Sequence, residues 1–396
     1  MLSDSYPEMS RDSRASESPE KIPFNQPALT GREIEYVSAA IGSRKHSGDG
    51  DFTRRCHESL EKLGFRKPLL TTSCTSALEM AALLLNVHAG DEVIVPSYTF
   101  VSTANAFALR GATIRFADSL IEQPNVDPAE VERLVSPRTK AICVVHYAGV
   151  ACDMDRILAV AQSVGASVVE DAAQAIFSSY RGRPLGSIGS FGAFSFHETK
   201  NISCGEGGFL AVNEAPYDVQ AEIVREKGTN RSAFFRGEVD KYGWVALGSS
   251  YLPSEILAAF LLAQLEKAED FQQRRLRVWE RYRRHLADLA LAGAFSLPVI
   301  PSFATNNAHM FYVVCRHADE QCGLIEELKA EGISAVFHYQ SLHSSPYFKS
   351  AHDGRALPNS DRYSDCLVRL PLFPDLQDKH VDRICNVIER YYEKSL

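Results

Sequence analysis

The stretch AICVVHYAGVACDMDRILAVAQSVGASVVEDAAQ, residues 141–174, contains the strand–helix–strand unit that decides the fold. Two apolar runs, Ala141–His146 and Ser167–Glu170, predict buried strands, and Asp153–Ser163 predicts a helix between them, with Asp153 as its N-cap. Strands joined through a helix run parallel within one sheet, and continuous apolar strands are covered on both faces. The unit therefore predicts an α/β fold with a mostly parallel sheet.

The same alternation extends in both directions from this unit. Further strands are predicted at Pro68–Thr72, Glu92–Pro96 and Thr113–Ala117, and further helices at Ser76–Asn86, Phe100–Leu109, Pro253–Leu291 and Lys379–Lys394. The proline-containing segment 297–301 predicts a hinge into a smaller C-terminal unit. We therefore expect a flexible extension at 1–21 and a large α/β domain at 22–270, whose N-terminal segment packs toward the small domain. A long helix and a smaller α+β domain are expected at 271–396.

Charge and composition restrict the classes of function and location. The net charge of -8 and the pI of about 5.9 argue against a nucleic-acid binder, which presents a basic surface to phosphates. No apolar run is long enough to span a membrane, and the Ser- and charge-rich N-terminus is not a secretory signal. The nine cysteines are scattered without metal or disulfide spacing, as expected of reduced thiols. These features predict a cytoplasmic protein.

Two charged side chains stand where parallel sheets bind ligands. Asp171 follows the predicted strand Ser167–Glu170 directly, at its carboxyl end. Lys200 follows the aromatic run 194–196 and precedes the glycine-rich turn 205–208. Taken alone, such an Asp is as consistent with a capping role, and such a Lys with a solvated surface charge.

Two more features lie at strand ends. The run 71–76, TTSCTS, places hydroxyls and unpaired N–H groups at a helix N-terminus, which can cradle a phosphate or simply cap the helix. Phe100 follows another strand end, where an aromatic ring either stacks on a ligand or joins the core. A lysine, a carboxylate, a phosphate cradle and an aromatic face are together what pyridoxal 5′-phosphate (PLP) requires of a protein. The sequence thus predicts a PLP site around Lys200.

These residues resemble the DegT-type sugar aminotransferases. The resemblance covers nearly the whole chain from about residue 22, and its motifs are SFHETKN at 195–201, GEGG at 205–208, EDAAQ at 170–174, VPSYTF at 95–100, HY at 338–339 and RLPL at 369–372. A narrower resemblance is to the branch that makes dTDP-4-amino-4,6-dideoxygalactose, through GDGDFTRRC at 48–56, HYAGVAC at 146–152, REKGTNRS at 225–232 and NAHMFY at 307–312.

The resemblance implies a fold-type I homodimer with active sites at the subunit interface. It implies Lys200 as the lysine that binds PLP covalently, Asp171 as the partner of the ring nitrogen, Gln174 near the phenolic oxygen and Phe100 stacked on the ring. Cys74, Thr75 and Ser195 would hold the phosphate. Many relatives add an Asn and an Arg from the neighbouring subunit within Gly-x-Asn-x-Arg. Here residues 248–252 read GSSYL, so that Ser250 stands as the substitute.

The implied reaction transfers the amino group of L-glutamate to C4 of dTDP-4-dehydro-6-deoxyglucose, with Lys200 moving the proton. Substrate contacts are expected from His338 and Tyr339, and diphosphate contacts from the basic cluster of Lys227, Arg231, Arg236 and Lys241, which could equally be a solvated loop.

Several alternatives stay open. The family also aminates at the sugar's 3-position, or at C4 with gluco stereochemistry. Sugar dehydration is disfavoured because dehydrating relatives commonly replace the lysine with His, whereas Lys200 is present. A non-catalytic sensor of PLP or nucleotide sugars need not keep a lysine and a carboxylate for proton transfer. No G-x-G-x-x-G follows the first strand, which argues against a dinucleotide enzyme.

Overall fold

The computed structural model describes residues 20–394, so that most of the predicted extension at 1–21 lies outside the described residues. The strands of this part of the chain are β1 (Pro68–Thr71), β2 (Glu92–Pro96), β3 (Thr113–Ala117), β4 (Thr139–Val145), β5 (Ser167–Asp171), β6 (Ser179–Tyr180), β7 (Arg183–Pro184), β8 (Phe191–Ser195), β9 (Gly208–Val212), β10 (Phe295–Ser296), β11 (Phe311–Cys315) and β12 (Leu367–Leu370).

The α-helices alternate with these strands. They are α1 (Glu33–Gly42), α2 (Asp51–Lys62), α3 (Cys74–Leu84), α4 (Val101–Ala108), α5 (Pro128–Leu134), α6 (Met154–Val164), α7 (Asp218–Arg225), α8 (Arg231–Phe235), α9 (Glu255–Leu265), α10 (Ala268–Leu291), α11 (Ala318–Ala330), α12 (Pro358–Cys366) and α13 (Asp378–Glu393). Asp153 caps α6 as predicted, since its side chain accepts a hydrogen bond from the N–H of Arg156 at 3.3 Å.

Seven strands form the main sheet, in the order β1-β9-β8-β5-β4-β2-β3. The run from β8 to β3 is parallel throughout, and β9 is antiparallel to both of its neighbours. The predicted mostly parallel α/β sheet is therefore confirmed. Because all five parallel strands point the same way, their carboxyl ends lie along one edge of the sheet.

Apolar residues cover both faces of this sheet. Alternate residues of one strand face opposite sides. Accordingly, Ile142 and Val144 of β4 pack into the core formed with α1, α2, α6 and α9, whereas Ala141 and Cys143 pack into the core formed with α3 and α4. Continuous apolar strands are thus explained by burial on both sides.

The prediction of one continuous helix over Pro253–Leu291 is wrong. The structure interrupts it at Glu266 and Lys267, between α9 and α10. The apolar α9 packs on α1 and α2 against the main sheet, whereas the amphipathic α10 packs on α13 in a separate core. At the interruption, Glu266 accepts hydrogen bonds from Arg32 at 2.9 Å and Tyr36 at 2.7 Å.

A second, antiparallel sheet, β10-β11-β12, forms the centre of that separate core with α10, α11 and α13. The N-terminal segment reaches this core, since Ile22 pairs with Ile333 and is buried among its residues. The exact division between large and small domain at residue 270 stays a prediction. Among residues 20–394, no helix is long and apolar enough to cross a membrane.

Candidate active site

The candidate site lies at the edge of the main sheet where the parallel strands end. β2, β4, β5 and β8 end there at Pro96, Val145, Asp171 and Ser195. The edge is held in place by a buried ion pair beneath it, in which His146 Nε2 lies 2.8 Å from an oxygen of Glu170. The N–H of His146 also donates to the carbonyl of Asp171 at 3.2 Å, so that the ends of β4 and β5 are fixed together.

Asp171 is buried, and both of its carboxylate oxygens are oriented by hydrogen bonds. One oxygen accepts from the hydroxyl of Thr103 at 2.7 Å, and the other accepts from the N–H of Ala173 at 3.2 Å. Burial raises the pKa of Asp171, while these hydrogen bonds and the nearby charge of Lys200 oppose the rise. The carboxylate is therefore desolvated but held in a fixed direction.

Lys200 lies in the loop between β8 and β9, half-buried, and its N–H donates to the carbonyl of His197 at 2.9 Å. Desolvation lowers the pKa of the Lys200 amine, and the positive charge of Arg369 lowers it further, whereas the negative charge of Asp171 opposes the shift. Its Nζ forms no hydrogen bond or ion pair with any other residue between 20 and 394. The site thus contains an amine with a depressed pKa and no partner.

The N-terminus of α3 presents unpaired donors beside this lysine. Ser73 caps the helix by accepting from the N–H of Ser76 at 3.1 Å, and Thr75 shares a hydrogen bond with Ser102 at 2.8 Å. Within the described chain, the N–H groups of Cys74 and Thr75 donate to no other residue. Free N–H groups at a helix N-terminus are an anion-binding arrangement.

Ser195 lies close to these donors through the strand register. Gly208 pairs with Ser195 on one side and with Thr71 on the other. A Cβ atom at Gly208 would lie 2.7 Å from the N of Cys74, so that only glycine lets β9 pass this near the helix N-terminus. The strand register therefore places Ser195 near Cys74 and Thr75, and their binding of a phosphate stays a prediction.

Gln174 and two tyrosines line another side of the site. The amide of Gln174 donates to the hydroxyl of Tyr339 at 2.8 Å and accepts from the N–H of Ala148 at 2.6 Å. His338 stacks on Tyr339 and shares a hydrogen bond of 2.7 Å with the hydroxyl of Tyr147. Burial raises the pKa of Tyr339 and lowers that of His338, so that both are neutral at pH 7.

Phe100 lies at the N-cap of α4, with its ring centroid 6.1 Å from that of Tyr339. The side chain is 55% exposed. The alternative that Phe100 belongs to the core is thus wrong, and its ring is available to a ligand.

The residues predicted to bind the diphosphate form no contact with the site residues described above, within the described chain. Arg231 forms an ion pair with Glu226 at 2.9 Å, and Arg236 forms ion pairs with Glu222 at 2.9 Å and Glu238 at 2.7 Å. Lys241 is exposed, as is Ser250, whose backbone bridges to Glu226. The arginine charges of the cluster are largely neutralised within the chain.

Three residues of the site were missed in the sequence. Thr103 lies one helical turn after Phe100, but its hydrogen-bond partner Asp171 is 68 residues away in the sequence. Tyr147 and Arg369 lie within motifs quoted above, without a role suggested by any pattern. Arg369 lowers the pKa of both Lys200 and His338 and therefore lies within electrostatic range of the lysine.

A family model described as the DegT/DnrJ/EryC1/StrS aminotransferase family matches residues 27–389, most of the chain. The protein belongs to this family. The chain is thus a sugar aminotransferase of the DegT/DnrJ/EryC1/StrS type, and members of this family depend on PLP.

Solved structures agree with this assignment. The aminotransferase TlmJ from Streptoalloteichus hindustanus superimposes with a TM-score of 0.87 at 26% identity, covering 95% of this chain and 100% of TlmJ. Spr1654 from Streptococcus pneumoniae, assigned as a sugar aminotransferase, gives 0.86 at 26% identity over 95% and 100%, and was solved in PLP and PMP forms. DesV from S. venezuelae gives 0.85 at 28% identity over 94% and 98%.

The residues present fit PLP. The unpaired N–H groups of Cys74 and Thr75 suit its phosphate, the buried carboxylate of Asp171 suits a protonated ring nitrogen, and the unpartnered amine of Lys200 suits its aldehyde. These three groups come from separate parts of the chain, and the fold places them at one sheet edge.

Proposed function

We propose that the protein transfers the amino group of L-glutamate to C4 of dTDP-4-dehydro-6-deoxyglucose, giving 2-oxoglutarate and dTDP-4-amino-4,6-dideoxygalactose. The observation that supports transamination best is the unpartnered Lys200 amine between a buried Asp171 and the open N-terminus of α3. The choice of sugar rests on the four sequence motifs shared with the branch that makes this product.

In this proposal the cofactor is held by residues of four segments. Lys200 would bind it covalently, Asp171 would pair with its ring nitrogen, Gln174 would contact its phenolic oxygen and Phe100 would stack on the ring. Its phosphate would be held by Cys74, Thr75 and Ser195. When bound, PLP supplies an amino-group carrier and an electron sink.

Lys200 also moves the proton. Desolvation lowers the pKa of its amine, so that Nζ is available as a base nearer to neutral pH than a surface lysine. The nearby charge of Asp171 opposes this effect and keeps the ammonium form accessible for returning the proton. Nζ can therefore take a proton from the amino donor and deliver one to sugar C4.

The substrate pocket is assigned to His338 and Tyr339 near the reacting carbon. Both are neutral and hydrogen-bonded to other site residues, which suits them to orient sugar hydroxyls rather than phosphates. Arg231, Arg236 and Lys241 remain a proposal for the diphosphate, and the two arginines would then exchange their glutamate partners for it.

We further propose a homodimer. Residues 235–250 expose an apolar surface that includes Trp244, 79% exposed, and Leu247, 61% exposed, and Ser250 lies at its end. A contiguous exposed apolar surface is typical of an interaction site. A second copy packed here would cover this surface and bring Ser250 toward the partner's phosphate-binding helix.

The dimer is tested by charging that surface. We expect the wild-type chain to sediment at twice its mass of 43.8 kDa and the double variant Trp244→Asp, Leu247→Asp to sediment as a monomer. The variant should also bind PLP about tenfold or more weakly, because the interface completes the phosphate site. Tyr347→Asp, which charges an exposed aromatic residue elsewhere, should remain dimeric. A wild-type monomer that binds PLP tightly would contradict this proposal.

Thr103 is expected to set the acid limit of activity. Its hydroxyl stabilises the charged form of Asp171, so that Thr103→Val raises the pKa of Asp171 further. Because activity requires the carboxylate, it is lost as pH falls through that pKa, and the acid limb of the kcat/KM profile should move up by about one pH unit. Thr103→Ser, which keeps a hydroxyl, should restore the limb. An unchanged profile for Thr103→Val would show that Asp171 does not titrate in the reaction.

The sugar assignment is tested on the product. Purified enzyme is given L-glutamate and dTDP-4-dehydro-6-deoxyglucose, and the configuration at C4 is determined by NMR coupling constants. We expect an axial amine at C4, which is the galacto product. An equatorial amine, an amine at C3 from the 3-keto isomer, or a dehydrated sugar would overturn it. A protein that binds the sugar nucleotide without turnover would instead be a sensor.

A further inference from the structure

The side chain that follows Lys200 in the sequence is anchored, whereas Lys200 itself is not. The Lys200 Nζ has no partner among residues 20–394, and the loop that carries it, between β8 and β9, contains no helix or strand. Asn201 is buried, and its side-chain amide forms three hydrogen bonds. These bonds therefore hold the loop directly beside the lysine.

The three hydrogen bonds fix the orientation of the Asn201 amide. Its Nδ2 donates to the carbonyl of Asn307 at 2.9 Å and to Oε1 of Gln272 at 3.1 Å. The amide of Gln272 donates to the same Asn307 carbonyl at 2.8 Å, which confirms that its Oε1 faces Asn201. The Oδ1 of Asn201 lies 2.9 Å from Nδ1 of His309. Because Oδ1 can only accept, His309 donates from Nδ1.

The ring of His309 therefore carries its proton on Nδ1. Burial lowers the pKa of His309 well below its usual range. The positive charges of Lys200, Arg275 and Arg369 lower this pKa further, so that the ring is neutral at pH 7. Its Nε2 accepts no hydrogen bond from any residue in the described part of the chain. The contact of His309 with the lysine loop is thus the single bond from Nδ1 to Asn201.

Arg275 of α10 holds the segment 307–309 that contains His309. Its guanidinium is 1% exposed and pairs with no carboxylate of the described chain, and it donates instead to the carbonyls of Ala308 at 3.0 Å and His309 at 2.6 Å. Ala308 has a φ of 50°, in the left-handed region that few residues other than glycine adopt. Moving this segment would leave a buried charge without partners, which is costly.

The same segment also contacts another side of the site. The Asn307 amide donates to the carbonyl of Gln174 at 2.7 Å. A Cβ atom at Gly149 would overlap this amide, so that only glycine admits the Asn307 side chain here. Segment 307–309 is therefore bonded both to the residue after Lys200 and to Gln174, and it fixes where these two parts of the site lie relative to each other.

We propose that Asn201 and His309 are positioning residues for Lys200, an inference that rests on the proposed transamination. Their hydrogen bond fixes the backbone that carries the lysine to segment 307–309. Nζ is then aligned without a partner of its own, and it stays free to take up a proton and to return it. Alignment of a reacting group acts on the rate of the chemical step, whereas the phosphate donors on α3 are separate from it.

Two variants of His309 separate positioning from direct participation in the chemistry. His309→Asn keeps an N–H donor in the place of Nδ1 and loses Nε2, whereas His309→Leu, which is similar in shape to Asn, loses both. We expect His309→Leu to slow the maximal rate of the glutamate half-reaction about 10- to 100-fold, and His309→Asn to recover most of that loss. The half-saturating glutamate concentration and the dissociation constant of PLP should change less than about threefold in both variants.

These rates are measured by single-turnover absorbance of the holoenzyme. His317→Leu, which removes an exposed histidine at the start of α11, is the matched control and should react at the wild-type rate. A His309→Asn enzyme as slow as His309→Leu would show that the ring itself is needed, and would overturn the proposal. Equal losses of rate, PLP affinity and thermal stability in His309→Leu would overturn it as well, since they indicate a purely structural role.

Asn201→Ala tests the same hydrogen bond from the other side. The bond between Gln272 and Asn307 remains in this variant, so that segment 307–309 keeps its support. We expect a similar loss of rate in Asn201→Ala. The double variant Asn201→Ala, His309→Leu should be within about threefold of the slower single variant, because both changes remove one interaction. Losses that multiply in the double variant would overturn the proposal.

Nitrogen NMR of the holoenzyme labelled with ¹⁵N-histidine tests the ring state without a rate measurement. We expect His309, assigned by the signals lost in His309→Asn, to keep a protonated Nδ1 and an unprotonated Nε2 from pH 8 down to about 5. A proton on Nε2 at pH 7 would contradict the hydrogen bond to Asn201. A wild-type holoenzyme that responds to neither glutamate nor any other amino acid would overturn the proposed function, whatever the NMR result.

Discussion

Lys200→Ala is expected to abolish amino transfer, with the glutamate half-reaction slowed by at least about 10⁴-fold. The variant loses the amine that binds the cofactor and the base that moves the proton. Among the lysines of the described chain, Lys200 is the one whose charge acts on the pKa of Asp171. The rate is measured by rapid-mixing absorbance after the variant has been loaded with PLP.

Two controls accompany this variant. Lys349→Ala removes an exposed lysine outside the site and should react at the wild-type rate. Without cofactor, Lys200→Ala should keep the thermal stability of the cofactor-free wild type, because Nζ has no partner to lose in the folded chain. A Lys200→Ala enzyme that still turns over glutamate within tenfold of wild type would refute the role of this lysine.

The second largest effect is expected at Asp171. Asp171→Asn preserves size, and its single amide oxygen can still accept one of the two hydrogen bonds, from Thr103 or from Ala173, but the change removes the negative charge that keeps the cofactor ring nitrogen protonated. We expect the half-reaction to slow by about 10²- to 10³-fold. PLP binding should weaken far less, because the phosphate donors on α3 are untouched.

The measurement for Asp171→Asn is the single-turnover rate together with the dissociation constant of PLP. Asp319→Asn, an exposed carboxylate at the start of α11, is the matched control and should behave as wild type. An equal loss of rate and of cofactor affinity would contradict the proposed division of roles, in which Asp171 acts on the ring and α3 holds the phosphate.

The sheet could be predicted from sequence because each of its strands is recognisable from a few consecutive residues. Each parallel strand is a short apolar run buried on both faces, and Asp171 follows one such run directly. The ends of parallel strands meet at one edge, so that the sequence could also place Asp171 near the start of α3. The proximity of Lys200 required the motif resemblance in addition, since an isolated lysine in a loop has no periodic pattern.

The contacts that orient the site could not be predicted in the same way. The Thr103–Asp171 hydrogen bond and the electrostatic effect of Arg369 on Lys200 join residues far apart in the chain, and they depend on how α4 and the small sheet pack. The helix break at Glu266 has a similar origin. The helical periodicity of the sequence continues through it, but α9 and α10 pack into two different cores. The charges of Arg231 and Arg236 suggested an anion site, but their ion pairs with glutamates are set by local packing.

Reductive trapping shows whether Lys200 carries the cofactor. The purified holoenzyme is treated with borohydride, which makes the lysine–cofactor bond permanent, and the modified peptide is identified by mass spectrometry. We expect one phosphopyridoxyl group per chain, on Lys200, and none after prior treatment with excess L-glutamate. A label on a different lysine, or a label on Lys200 that glutamate does not prevent, would contradict it.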